Sequence, residues 1–273
     1  MNTPKILYIG KHAVLERDEV SLFHEIGCKV FSLHGAYTVP EGHPSLPRPG
    51  IPGLEYMSDL HRIAQANPSL NNIPIELIEP FDVVIVTGGY HDVPVISNNW
   101  KKFNKKIVVW RSIGQSNETT ETALTPYKAK GMKVVRYSLK EILIPNSMGG
   151  DVMIRFYKDP DEFSNWNGNT IQAINVSQSL KGRALFLHYQ QIMDILKDLP
   201  SKIYGTGNED LGIYDGGNLS YHQLKEAYRD NRVFLYAGTW PAPYTLSLIE
   251  ALLTGMPVVA IGKELAEKLH TCK

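Results

Sequence analysis

The sequence predicts an α/β protein built from two Rossmann-like domains. Short apolar runs typical of buried parallel strands recur along the chain, for example at Ile6–Gly10, Phe81–Gly89 and Ile107–Ser112. Segments with helical spacing of apolar residues separate them, which favours a parallel sheet covered by helices on both faces. Turn-forming residues then interrupt the pattern near 145–170 before it starts again. We therefore expect domains at residues 1–165 and 166–273.

The first half alternates strands and helices. After the first strand, a helix is predicted over residues 14–27, with Asp18 and Glu19 on its exposed face. A second strand follows at Cys28–Leu33, and the Pro-rich loop 40–53 is expected to be extended. The strand at residues 134–138 completes this half.

The second half contains predicted strands at residues 171–176 and 202–205 and a helix near 184–198. It ends in a strand, a tight loop, a helix, a turn and a strand between residues 232 and 262. The last helix is expected to begin near Thr245 and to end at Gly255. Because a helix start has unpaired N–H groups and a partial positive charge, it suits an anion such as a diphosphate.

Composition narrows the class of protein. The 273 residues carry a formal net charge of +0, which argues against a globally basic nucleic-acid binder. The cysteines, Cys28 and Cys272, form no metal-binding pair, and the N-terminal residues do not resemble a signal peptide. No apolar run approaches the ~20 residues that span a bilayer. We therefore expect a cytoplasmic protein.

The C-terminal pattern of loop, helix with Glu250, Gly-x-Pro-Val-Val turn and strand resembles the nucleotide-sugar site of the GT-B glycosyltransferases, especially family 4. The resemblance implies Rossmann-like domains facing a central cleft, the first binding an acceptor and the second a nucleotide-diphosphate sugar. It implies a hexosyltransferase-like, metal-independent enzyme that needs no cofactor. The acceptor is left open: a glycan, a lipid, a small molecule or a modified nucleic acid.

The resemblance also assigns donor-binding residues. Glu250 would accept hydrogen bonds from the ribose hydroxyls, and Lys181 and Arg183 would neutralise the leaving diphosphate. The other expected donor contacts are Gly10, Gly205, Tyr244, Thr245 and Ser247. Each assignment has a plainer alternative: a Glu that faces solvent, a solvated basic turn, or ordinary helix capping.

Two features depart from the family pattern. Family members carry an acidic residue eight positions before the Glu, where this chain has Ala242, so the usual retaining chemistry is not assured. The chain also ends soon after Gly262, which predicts a short or truncated C-terminal region.

His91 and Asp92 are the predicted catalytic residues. They follow the strong strand at 81–87 and a pair of glycines, and ligands of open α/β sheets bind beyond the carboxyl ends of strands. Either residue could take the acceptor proton. The alternative is that His91 is a loop histidine that caps the next helix.

Other chemistries receive little support. There is no HExxH or HxH pair, so no metal site is expected, and no complete GxGxxG motif, so NAD is rejected. Lys101, Lys102, Lys105 and Lys106 could bind a polyanion but are expected to be a solvated helix face. The remaining alternatives are a sugar-nucleotide 2-epimerase of the same architecture and a non-catalytic sugar-nucleotide binding protein.

Overall fold

The computed structural model describes residues 3–10, 12–33, 58–114, 116–163, 165–236, 238 and 245–260. The chain forms two compact units, Met1–Tyr157 and Lys158–Lys273. The expected boundary, between residues 165 and 166, assigns segment 158–165 to the first unit. The structure groups residues 158–163 with the second, where Lys158 contacts Glu250 and Phe163 contacts Tyr221.

In its described residues the first unit forms a parallel sheet of six strands in the order β2-β1-β3-β4-β5-β6. Its strands are β1 (Lys5–Gly10), β2 (Lys29–Ser32), β3 (Val83–Gly88), β4 (Ile107–Ser112), β5 (Lys133–Arg136) and β6 (Val152–Met153). Its helices are α1 (Ala13–Glu25), α2 (Ser58–Ala66), α3 (Val93–Asn99) and α4 (Glu118–Ala129). The middle strands are nearly all apolar because helices cover both faces of the sheet.

The part of the second unit that the structure describes forms a parallel sheet of five strands in the order β11-β10-β7-β8-β9. Its strands are β7 (Thr170–Val176), β8 (Ser201–Tyr204), β9 (Asp215–Gly217), β10 (Asn231–Tyr236) and β11 (Val258–Ala260). Its helices are α5 (Ala184–Leu187), α6 (Tyr189–Leu196), α7 (Tyr221–Asp230) and α8 (Leu246–Thr254). Apolar clusters cover the two faces of this sheet, as in a doubly wound fold.

The predicted fold class, two Rossmann-like α/β domains, is confirmed. One helix differs from expectation: the predicted helix near 184–198 is two short helices, because His188 adopts a left-handed backbone with φ 54°. Among the described helices, none is both long and apolar enough to cross a membrane.

Candidate functional site

The carboxyl ends of β7, β8 and β10 lie at one edge of the second sheet, because these strands run parallel. The segments that leave this edge contain most of the predicted donor-binding residues. Lys181 and Arg183 follow β7, Gly205 follows β8, and the chain after β10 leads into α8 with Thr245 at its start. This edge is where open α/β sheets bind their ligands.

Gly205 brings two of these segments together. Its φ is +132°, and a Cβ atom placed there would lie 2.6 Å from the carbonyl oxygen of Ser177. The buried amide of Asn208 donates to the carbonyls of Ser177 at 2.7 Å and Gly205 at 3.0 Å, and it accepts from the N–H of Leu180 at 2.9 Å. The loops after β7 and β8 therefore form one fixed platform. Asn208 was not predicted; its place directly after a Gly-Thr-Gly turn is the signal that could have found it.

We expect Gly205→Ala to lower the free energy of unfolding by about 2–3 kcal/mol, because it adds both a strained φ and a clash with backbone. Urea denaturation measures the loss. Gly217→Ala is the matched control in the same unit: its φ is +76°, but nothing lies within 4 Å of the added Cβ. Equal losses in the two variants would show that Gly205 is needed for its φ alone.

Lys181 and Arg183 are both exposed. The Nζ of Lys181 lies 3.2 Å from the Oδ2 of Asp210, and both side chains are about half exposed. An exposed ion pair of this kind contributes little stability. Lys181 can therefore exchange Asp210 for a bound anion at small cost. Arg183 lies directly before α5, so the loop between β7 and α5 carries two cations, Lys181 and Arg183.

The start of α8 has the geometry expected of both a cap and an anion site. Thr245 has an extended backbone, and its Oγ1 accepts a hydrogen bond from the N–H of Leu248 at 3.4 Å. The hydroxyls of Thr245 and Ser247 are 2.8 Å apart. Tyr244, the remaining donor contact predicted here, lies outside the described residues, as does Ala242.

Glu250 is buried, which excludes the alternative that it faces solvent. Its Oε1 lies 2.7 Å from the Nζ of Lys158, and its Oε2 accepts a hydrogen bond from the hydroxyl of Tyr228 at 3.2 Å. Lys158 is fully buried as well, with its Nζ 6.0 Å and 5.9 Å from the ring centres of Phe163 and Tyr221. A ribose would have to share the carboxylate of Glu250 with Lys158.

Tyr228 stabilises this ion pair as a neutral donor. Burial, and then the charge of Glu250, raise the pKa of Tyr228 well above its ordinary value. Its phenol therefore stays protonated over the physiological range and keeps donating to the carboxylate. Neither Lys158 nor Tyr228 was predicted, because nothing in the spacing of the sequence links either residue to Glu250.

In the first unit, Gly10 ends β1 and His91 lies in the 3-10 turn Tyr90–Asp92 after β3. His91 is exposed, with its ring centre 5.5 Å from that of Tyr90. Asp92 accepts a hydrogen bond from the N–H of Gly89 at 3.0 Å, and its carboxylate occupies the space where Gly88 has no side chain. Asp92 thus closes the 3-10 turn and makes no side-chain capping bond to α3, whereas His91 is exposed to solvent.

The first unit also contains buried charges that the sequence analysis missed. The expectation that Asp18 and Glu19 are exposed is wrong, because both are buried. Glu19 accepts hydrogen bonds from the hydroxyl of Tyr8 and from Nε of Arg111, each at 2.8 Å. Helix α1 can bury Glu19 because the ion pair with Arg111 offsets the cost of removing its charge from water.

A second buried network joins α4 to the end of β5. Arg136 makes a bidentate ion pair with Glu121, at 2.7 Å and 2.6 Å. Burial alone would raise the pKa of Glu121, but the hydrogen bonds from Arg136 and Ser116 outweigh it and lower the pKa.

Among the described residues no group of three or more His, Cys, Asp or Glu side chains could hold a metal ion.

The four clustered lysines do not all form a solvated face. Lys102 donates to Asn72 and to the carbonyl of Ile73, at 2.6 Å and 2.7 Å. Lys106 donates to the carbonyls of Glu79 and Phe81, at 2.9 Å and 2.6 Å. Lys102 and Lys106 lie before β4, and their hydrogen bonds hold residues 72–81, before β3, against that segment.

Comparison with known proteins gives a likeness of structure only. No family model and no curated protein matches the chain. The structure of Anabaena Alr3699/HepE in complex with UDP and glucose is similar over 98% of this chain and 89% of that one, with 12% identity and a TM-score of 0.59. A glycosyltransferase from Rickettsia africae ESF-5 is similar over 95% and 79%, with 16% identity and a TM-score of 0.59. The likeness confirms that the chain has the GT-B type of fold; membership of family 4 stays a prediction.

Proposed function

We propose that the chain is a glycosyltransferase that moves a sugar from a nucleotide-diphosphate sugar to an acceptor hydroxyl. One observation carries the proposal: the carboxyl edge of the second sheet holds a helix start with two hydroxyls, a displaceable lysine and a fixed glycine platform. These groups suit a diphosphate. A similar structure that contains UDP and glucose supports the same ligand class.

Each group has a role in this proposal. Thr245, Ser247 and the first N–H groups of α8 hold the diphosphate, and Lys181 and Arg183 neutralise its charge as the sugar leaves. Gly205 lets the loops after β7 and β8 pack together into the platform that the ligand would contact. Glu250 accepts hydrogen bonds from the ribose while Lys158 and Tyr228 hold its carboxylate in place. His91 belongs to the acceptor side, as the base, and Gly10 is the donor contact expected from the first unit.

Calorimetry with UDP and with the corresponding diphosphates of other bases tests the donor site. Incubation with labelled nucleotide sugars then tests the reaction. Slow release of free sugar without an acceptor supports transfer, whereas an epimeric nucleotide sugar supports the 2-epimerase alternative. Nucleotide binding without either product supports the non-catalytic binding protein. Failure of every diphosphate to bind would contradict the proposal.

We expect Lys181→Ala to lower kcat by roughly tenfold to a hundredfold while changing the dissociation constant of the nucleotide sugar less. The charge of Lys181 counts most when the diphosphate leaves, so its loss falls mainly on the transition state. Lys197→Ala is the matched control, since Lys197 is an exposed lysine beyond the far end of α6. An unaltered kcat in Lys181→Ala would show that the lysine has no role in departure.

A further inference from the structure

A cavity lies at the amino ends of β4 and β5, between the segment that follows α3 and the segment that follows α4. Lys101, Lys105, Lys106 and Lys130 line it, and we call it the lysine cavity. Its volume is about 510 Å³, which is within the range of about 300–1,000 Å³ for sites that hold small molecules. Because the strands run parallel, this edge of the first sheet is opposite to the edge where His91 follows β3. The lysine cavity is therefore separate from the candidate acceptor side.

The lysines of the cavity carry positive charge that no carboxylate offsets. Among the described residues, Lys101 and Lys105 have no ion-pair partner, and none of those that line the cavity is acidic. The Nζ of Lys130 lies 5.7 Å from the ring centre of Tyr127, and Lys106 donates to two backbone carbonyls. The whole chain has 28 Lys and Arg and 28 Asp and Glu, so this excess of positive charge is local. It favours an anionic ligand.

Apolar side chains form the floor of the lysine cavity. Phe103, Val108 and Met132 are at most 5% exposed and belong to the core of the first unit. Trp100 is half-buried, and its ring packs against that of Tyr127 with centres 5.0 Å apart. Most of the lysines, by contrast, are exposed. The cavity therefore presents an apolar floor beneath a charged rim, which suits a ligand with an anionic group and an apolar or aromatic part.

The shape of the lysine cavity favours a small molecule over a large charged surface. Because the apolar floor is buried, a flat bilayer would contact the lysines without reaching it. A long nucleic acid needs basic charge that continues along the surface. Here that charge ends at the exposed residues Glu79 and Asp82, since Lys106 donates to the carbonyl of Glu79 and so lies beside them. A ligand must therefore enter the cavity to use both the floor and the lysines.

We propose that the lysine cavity binds a small molecule that carries at least two phosphate charges and an apolar or aromatic part. Its phosphate oxygens accept hydrogen bonds from Lys101, Lys105 and Lys130, whose flexible side chains can turn toward them. Lys106, held by backbone carbonyls, adds a fixed positive charge beside them. The apolar part lies on the floor, against Trp100. Binding here does not depend on the proposed function, because the described lining includes none of the donor or acceptor residues.

Acetylation of lysines, read by mass spectrometry, locates the binding of a probe, ADP. With ADP at about ten times its dissociation constant, we expect the acetylation rates of Lys101, Lys105 and Lys130 to fall by roughly fivefold or more. The acetylation rate of Lys181 reports separately on the donor edge of the second sheet. Failure of the proposed function and failure of this inference are thus distinguishable.

Calorimetry then compares two probes and two variants. We expect the unchanged chain to bind inorganic pyrophosphate roughly fivefold or more weakly than ADP, because pyrophosphate has no part that reaches the floor. The cavity variant, Lys101→Ala/Lys105→Ala/Lys130→Ala, should bind ADP roughly tenfold or more weakly. Arginine at the same three positions keeps the charge and should retain most of the affinity. Protection of Lys181 identifies any heat that comes from the donor edge.

A matched control separates the lysine cavity from general attraction of anions. Lys5→Ala/Lys29→Ala/Lys140→Ala removes three exposed lysines of the first unit that do not line the cavity, and it should bind ADP like the unchanged chain. Circular dichroism checks that both alanine variants are folded. Added salt should weaken the binding of ADP to the unchanged chain, because the rim is exposed.

Several results would overturn the proposal. One is the absence of ADP protection at Lys101, Lys105 and Lys130, and another is equal ADP affinity in the cavity variant and the control. A third is ADP binding that protects Lys181 alone. A fourth is binding of anionic vesicles or duplex DNA that the cavity variant loses, without any binding of ADP. Equal affinity for ADP and pyrophosphate would contradict the apolar part of the ligand.

Discussion

Lys158→Met is expected to destabilise the second unit by about 3–5 kcal/mol, because it leaves the carboxylate of Glu250 buried without its cation. Both partners are almost fully buried, and the hydroxyl of Tyr228 alone cannot replace the lost charge. Methionine keeps much of the length of the lysine and its contacts with Phe163 and Tyr221. The loss therefore reports on charge rather than on packing.

The double variant Lys158→Met/Glu250→Leu should recover most of this stability, since it removes both charges and fills the same space with apolar groups. Urea denaturation followed by hydrogen exchange at the amides of α8 measures the effect within the second unit. The control is Lys181→Met, which breaks the exposed ion pair with Asp210. It should lower the free energy of unfolding by less than about 1 kcal/mol, because exposed ion pairs contribute little stability. A double variant that is as unstable as Lys158→Met would contradict a simple ion pair.

The same double variant decides the role of Glu250. From the sequence alone, Glu250→Ala is expected to weaken donor binding and leave the fold intact. The structure makes that test ambiguous, because the substitution also leaves Lys158 as a buried cation. In a stable double variant, loss of UDP binding would support ribose binding by Glu250, whereas unchanged affinity would leave it a structural residue.

The sequence predicts the fold well where a pattern is local. Continuous apolar runs predict β3 and β4, and Thr245, Gly255 and Pro257 bound α8 because capping and helix-ending residues act on adjacent backbone. The break of the helix near 184–198 at His188 could not be predicted in this way. A left-handed backbone at a residue other than glycine is imposed by its tertiary surroundings.

The ion pairs could not be predicted because their partners are distant in sequence. Glu19 pairs with Arg111 and Lys158 with Glu250, and in each case the register of the folded sheet and its helices decides which charges meet. The sequence predicts an exposed face for Asp18 and Glu19 because acidic residues in a helix usually are exposed. The buried partner that overrides this rule is visible only in the fold.

His91→Ala is expected to lower kcat by roughly a hundredfold or more if transfer inverts the configuration of the sugar. An in-line attack needs a base to remove the acceptor proton, and His91 is exposed at the carboxyl end of β3, where substrates of such sheets bind. Asp92, the other candidate, already accepts a hydrogen bond from Gly89 and fills the space beside Gly88. Of the two predicted bases, His91 therefore has the more exposed side chain.

The measurement compares the loss of kcat with the change in donor affinity. His91→Ala should leave donor affinity almost unchanged, because His91 lies in the first unit, whereas the donor residues of α8 and the Gly205 platform lie in the second. His222→Ala is the matched control: this histidine is exposed, lies in the second unit, and pairs weakly with Glu226. The resemblance to family 4 implies an acidic residue at the position of Ala242, so the stereochemistry of the product is the decisive result. A product that keeps the anomeric configuration of the donor needs no such base, and His91 would then at most contact the sugar.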